Sequence, residues 1–321
     1  MTIANRHPGV RIGLDVGGTK IAGIARADDG TVLATVRSAT GSGGEAVLSG
    51  ILDAVHALRA QLDTVVELLS IGIGIPGLVD VAEGRVLHAV NLGVESLAIS
   101  ARVRDAIGVP CHVENDVKAA ALGAASLRDD SAPIAYLNLG TGVAAGVVVD
   151  GRIWRGSRGT AGEVGHFVVD PNGRSCGCGQ RGCIETLCGG GALARAWGRD
   201  GEWPVRDILD AAAVGDPTAI VLRDDLFRGV AAAVRALVLS FDVETVVIDG
   251  GLTALADRLE SGIRAALRSD ATTSPFLQSL RLDERIDMLP AHSPVAAIGA
   301  ALLGTALADT TSFDKEIVPH G

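Results

Sequence analysis

The chain has 321 residues, of which 48% are apolar and 21% charged, which excludes an intrinsically disordered protein and leaves enough material for two lobes. A formal net charge of −10, with no local cluster of Lys and Arg, argues against nucleic acid as a main partner. Residues 1–8 are polar and no apolar run reaches spanning length, so a cytoplasmic protein with no membrane partner is expected.

In chain order, 10–16 reads as a buried strand, and 21–26 with 31–37 flank Asp28-Asp29-Gly30 as a hairpin. A helical stretch over 44–62 and an apolar strand over 69–75, broken by Pro76-Gly77, predict an α/β lobe. A helix over 96–107 leads to a short strand at 111–114, and the alanine-rich run Asp116–Ser126 reads as a helix opening at Asn115-Asp116. Strands Ile134–Leu139 and Val143–Val149 then repeat the strand, glycine turn and strand of the first lobe. Residues 156–183 are loop-rich. The run 220–240 places Leu226, Val230, Val234 and Leu237 on one helical face. A buried strand at 245–248 precedes Asp249-Gly250-Gly251, the last helix covers about 295–307, and the tail 310–321 is expected to be poorly ordered. The expected division is a small lobe of 1–115 plus 295–309 and a larger lobe of 116–294.

The segment Asp15-Val16-Gly17-Gly18-Thr19-Lys20 follows the first strand directly. Its glycines let backbone N–H groups face phosphate oxygens, Thr19 adds a hydroxyl, and Asp15 can hold hydrated magnesium. A plain hairpin turn is the competing reading, and the spacing is not that of a Walker loop. A second such turn, Asn138-Leu139-Gly140-Thr141-Gly142, closes another apolar strand, and the two together suggest a nucleotide tail held between lobes for phosphoryl transfer. Gly250 and Gly251 suit the nucleoside end, or form a simple strand-to-helix turn.

Five cysteines are present, three of them within eight positions. His166 with Cys176, Cys178 and Cys183 forms a donor set suited to one tetrahedral structural zinc ion. Glu163 and Glu185 flank it and can accept hydrogen bonds from sugar hydroxyls. Cys111 and Cys188 read as buried apolar side chains, and His7, His56, His88, His112 and His292 as surface or locally hydrogen-bonded groups. Trp154, Trp197 and Trp203 read as packing residues.

The turn Asp15–Lys20, the Glu163-Val-Gly-His166 segment and the Cys176-Gly-Cys178-Gly-x-x-Gly-Cys183-x-Glu185 segment, in this order, resemble the ROK family of sugar kinases and sugar-responsive repressors. The resemblance implies an α/β, two-lobed actin/hexokinase-like (ribonuclease H-like) fold with an interlobe cleft and a structural zinc loop. It implies that Asp116 takes the proton of the attacking sugar hydroxyl, and that Asn115, Glu163, His166 and Glu185 bind the sugar beside it; Asn91 is a further candidate for a sugar hydroxyl. ATP with Mg2+ is the expected donor, one Zn2+ the expected structural metal, and a homodimer or homotetramer the expected assembly.

Glucose phosphorylated at its primary hydroxyl is the first expectation. An N-acetylhexosamine kinase, a polyphosphate donor and a non-catalytic sugar sensor are the alternatives. Family glucokinases often carry a tryptophan after an Asn-x-x-Gly type segment, and Asn91-Leu-Gly-Val-Glu-Ser96 has none. Fourteen residues precede Asp15, too few for the helix-turn-helix domain of the family's repressors.

Overall fold

A computed structural model describes residues 9–63, 65–291 and 293–305. The readings for 1–8, His7, His292 and 310–321 lie outside these residues. Two compact units form, one from 9–129, 150–153 and 294–305, the other from 130–149 and 154–293.

In the first unit Val10, Ile12, Leu14 and Val16, on one face of a strand, are fully buried, and Gly9 and Gly13 on the other face are buried as well, as in a central strand. This strand, β1 (Gly9–Val16), pairs antiparallel with β2 (Lys20–Ala27), which pairs with β3 (Val32–Ala39). After helix α1 (Gly44–Arg59), strand β4 (Glu67–Ile75) runs parallel to β1. A small antiparallel meander follows, β5 (Leu78–Asp80), β6 (Arg85–Ala89) and β7 (Val94–Ala98). Helix α2 (Ile99–Ile107), strand β8 (Cys111–Asn115) and helix α3 (Asp116–Ser126) complete the order β3-β2-β1-β4-β8. The helix expected from residue 96 starts at Ile99 instead, because Val94 and Leu97 pair with β6 in strand register.

The second unit repeats this plan. Strands β9 (Ile134–Leu139) and β10 (Val143–Val149) form the antiparallel hairpin, while β11 (Arg152–Ile153) belongs to the first unit. Helices α4 (Ile184–Cys188), α5 (Gly190–Trp197), α6 (Pro204–Ala213) and α7 (Pro217–Phe241) follow. Strand β12 (Thr245–Asp249), helices α8 (Asp257–Ala271) and α9 (Pro275–Leu280) and strand β13 (Ile286–Met288) give the order β10-β9-β12-β13. The four apolar positions expected on one face of α7 are all fully buried.

Helix α10 (Val295–Leu302) belongs to the first unit and sets the position of α3. It crosses β1 and β4 over Gly13 and Gly72, where an added Cβ would stand 2.0 and 1.7 Å from the carbonyl oxygens of Ala297 and Ala300. It meets α3 through Gly123 and Gly299, whose Cβ atoms would stand 1.9 and 1.7 Å from backbone carbonyls of the facing helix. Backbone-to-backbone approach of this kind leaves no room for a side chain, which explains part of the high glycine count.

Candidate active site

In the first unit the parallel register fixes two features at one sheet edge. Asp15 lies opposite Gly74, and Gly74 opposite Glu114, so Asn115-Asp116 leaves the sheet two strands, or about 10 Å, from Asp15. Glycine at position 74 keeps this edge open, since a Cβ there would stand 3.3 Å from the Asp116 Cα. Asn115 caps α3: its Oδ1 accepts from the Val117 and Lys118 N–H groups at 3.1 and 3.2 Å, and its Nδ2 donates to the Gly77 carbonyl at 3.3 Å. Asp116 is the first helical residue and accepts from the Val117 N–H at 2.9 Å, placing its carboxylate where the helix dipole favours negative charge.

The first glycine turn is held from behind. Thr40, fully buried, donates its hydroxyl to the Gly17 carbonyl at 2.7 Å and its N–H to the Thr19 carbonyl at 3.2 Å. Gly18, Thr19 and Lys20 are exposed. Asn91 sits in the single turn Val90–Leu92, and its backbone oxygen lies 3.6 Å from where a Gly18 Cβ would stand.

In the second unit the start of β10 gathers the other expected residues. Glu185, on α4, accepts the Val143 N–H at 3.0 Å, directly after the turn Gly140–Gly142. The Glu163-Val-Gly-His166 segment lies flat on β10, because Gly162 and Gly165 approach the carbonyl oxygens of Ala145 and Val143 to within 1.9 and 2.1 Å of their would-be Cβ atoms. Val164 is buried beneath the segment, Glu163 is exposed and His166 half-buried. Gly250, at φ +105°, packs on Asn138 and Leu139 of the glycine turn.

His166, Cys176, Cys178 and Cys183 offer donor atoms that all lie within 4.8 Å of one another. The Cys178 and Cys183 sulfurs are 3.7 Å apart, as are the Cys176 sulfur and His166 Nδ1. Zinc–sulfur bonds of about 2.3 Å at a tetrahedral angle give an edge near 3.8 Å, so these residues fit the ion. Hydrogen bonding from Gln180 lowers the Cys178 thiol to about 6, whereas burial pushes Cys183 up to about 12. Nδ1 faces the sulfurs, which leaves Nε2 on the other side of the ring. Arg174 ties this loop to its surroundings, donating to the Thr186 carbonyl of α4 at 2.6 Å and to Asp225 of α7. Cys111 and Cys188 are buried as expected, and burial raises the Cys111 thiol to about 12.

A cavity of about 480 Å³ in the second unit runs from Gly140 and Thr141 to the apolar walls Val205, Leu252 and Leu255. Trp203 lines it and is 50% exposed, so it is not the packing residue expected from sequence. The Arg206 guanidinium stands 5.5 Å from the Trp203 ring centroid. Gly190 and Gly191, also unforeseen, donate their N–H groups to the Gly140 and Thr141 carbonyls at 2.9 Å each. Their one visible sign in the sequence is the run Gly189-Gly190-Gly191 at a helix start.

The profile of the ROK family matches residues 11–305, and the chain belongs to that family. It is 31% identical over 281 residues to a glucokinase of Streptomyces coelicolor, spanning 81% of this chain and 87% of that one. An N-acetylmannosamine kinase of Yersinia pseudotuberculosis is 29% identical over 261 residues, spanning 80% and 88%. A ROK family glucokinase from Streptomyces griseus, solved in complex with glucose and AMPPNP, matches the fold with a TM-score of 0.74 at 29% identity, over 92% of this chain and 99% of that one. The chain is an ATP-binding sugar kinase with the two-lobed α/β ROK fold.

Proposed function

We propose that the protein transfers the γ-phosphoryl group of ATP to a hexose, with glucose converted to glucose 6-phosphate, and that Asp116 is the base. The observation that carries this reading is the position of Asp116 at the first turn of α3, on the same sheet edge as the glycine turn that begins at Asp15. The sugar hydroxyl oxygen forms the new P–O bond, the bond from the γ-phosphorus to the β,γ-bridging oxygen breaks, and the hydroxyl proton passes to Asp116. Asn91, Asn115, Glu163, His166 and Glu185 hold the sugar; Asn115 retains one amide hydrogen beyond its bond to Gly77.

Gly17, Gly18, Thr19 and Lys20 take the donor phosphates in one unit and Gly140, Thr141 and Gly142 in the other. Gly250 and Gly251 flank the nucleoside. The apolar walls of the cavity beside Gly140 support a nucleobase and favour ATP over polyphosphate as donor. Magnesium, when bound, neutralises phosphate charge, and the Asp15 carboxylate is the oxygen donor suited to it. Zinc held by His166, Cys176, Cys178 and Cys183 braces the loop that presents Glu163 and Glu185.

Asp116→Asn should lower kcat by about 10²- to 10⁴-fold at saturating sugar while glucose binding persists; turnover close to that of the parent would end the assignment. An N-acetylhexosamine kinase is the second reading, favoured by the Yersinia relative and by the lack of tryptophan in 91–96. A panel of hexoses and N-acetylhexosamines with ATP separates the two. No helix among the described residues is long and apolar enough to cross a membrane. A cytoplasmic homodimer or homotetramer is the proposed state.

A further inference from the structure

We propose that Thr40 is a positioning residue for the donor, aiming the amides of the first glycine turn at the phosphates. The inference rests on reading Asp15–Lys20 as a phosphate turn. A peptide unit is planar and trans, so the direction of one carbonyl fixes the opposite direction of the next N–H. The Thr40 hydroxyl holds the Gly17 carbonyl at 2.7 Å, which sends the Gly18 N–H to the other side of the turn, where Gly18 is exposed. The Thr40 N–H holds the Thr19 carbonyl at 3.2 Å and orients the Lys20 N–H in the same way.

Two adjacent glycines have little conformational preference of their own to enforce this arrangement. A peptide flip at Gly17 would turn a carbonyl, with its partial negative charge, toward the anionic ligand. Thr40 is fully buried, lies 23 residues from Gly17 in sequence, and touches the turn through its polar atoms.

The other unit contains the same device in different chemistry. There the carbonyls of Gly140 and Thr141 are taken from behind by the N–H groups of Gly190 and Gly191, at 2.9 Å each. Each turn thus has two of its carbonyls occupied by donors from a distant segment. Backbone donors do the work in the second unit and cannot be deleted by substitution. In the first unit one of the two donors is a side-chain hydroxyl, which can.

Thr40→Val keeps the shape and exchanges the hydroxyl for a methyl group; Thr40→Ser keeps the hydroxyl. Thr40→Val should weaken calorimetric binding of AMPPNP and raise the KM for ATP about tenfold, the effect of one lost hydrogen bond, with the KM for sugar unchanged. Thr40→Ser should stay within about twofold of the parent on both measures. Thr40→Ala, which adds no methyl group beside the Gly17 carbonyl, should show the same donor-selective loss and serves if the valine variant does not fold. Equal AMPPNP affinity in the parent and in the hydroxyl-free variants, or an equal loss of sugar and nucleotide binding, would overturn the inference. A parent protein that binds sugar but not AMPPNP would instead overturn the phosphate-turn reading on which it rests.

Discussion

Gly142 and Gly162 look alike in sequence, and their surroundings separate them. A Cβ on Gly142 would stand 2.6 Å from Glu185 Oε2, the far end of a side chain that can swing away. A Cβ on Gly162 would stand 1.9 Å from the Ala145 carbonyl oxygen, and its φ of +97° is itself unfavourable for alanine. Gly142→Ala should therefore fold normally and lose the bond from the Val143 N–H to Glu185, raising the KM for sugar about tenfold with little change in melting temperature. Steady-state kinetics beside a thermal melt checks this, and a lowered melting temperature with unchanged sugar KM would contradict it. The candidate metal donors His166, Cys176, Cys178 and Cys183 were legible as a cluster because they fall within a short motif. Thr40 was not, because its partners Gly17 and Thr19 come from a distant segment and a threonine at a strand end carries no local mark of that contact.

Among the elements, α3 was legible at both ends, since it begins at a capping residue followed by an alanine-rich pattern, whereas α7 was legible from its apolar face and begins three residues before the expected 220, at Pro217 after the cap Asp216. Strand β7 was not, because its short alternation merges into the apolar spacing of α2 and the pairing with β6 decides it. Asp216 caps α7, accepting the Ala219 N–H at 3.0 Å, and Arg199 donates to it at 2.7 Å. The Ala219 N–H first, and then Arg199, hold its carboxyl below the usual aspartate value. A carboxyl whose folded-state pKa is depressed adds stability that is whole above the unfolded-state pKa and is lost as pH falls through the folded-state one. Asp216→Asn keeps a capping oxygen and removes the charge. Its stability deficit against the parent, from urea unfolding, should be present at neutral pH and close as the pH drops below about 3.9, the ordinary aspartate value. A deficit independent of pH would show that charge has no part in the cap.

At the scale of the whole chain, the order β2-β1-β4-β8 of one unit recurs as β10-β9-β12-β13 in the other, each with its own buried core. The repeat was visible in sequence only as two strand, glycine turn and strand segments, because the helices between later strands differ in length and number. Trp154, Trp197 and Trp203 all lie in the second unit, as does the candidate metal loop. Tryptophan fluorescence therefore follows the second unit alone, while far-ultraviolet circular dichroism follows both. Arg174 links the metal loop to α4 and α7, so loss of the ion should loosen the core around those helices rather than the loop alone. After zinc removal by a chelator, the fluorescence midpoint should fall and separate from the dichroism midpoint, and both should return when zinc is restored. Separation of probes marks a departure from two-state unfolding. Unchanged midpoints after verified metal removal would exclude the brace, and an equal downward shift of both would mean that the two cores unfold as one.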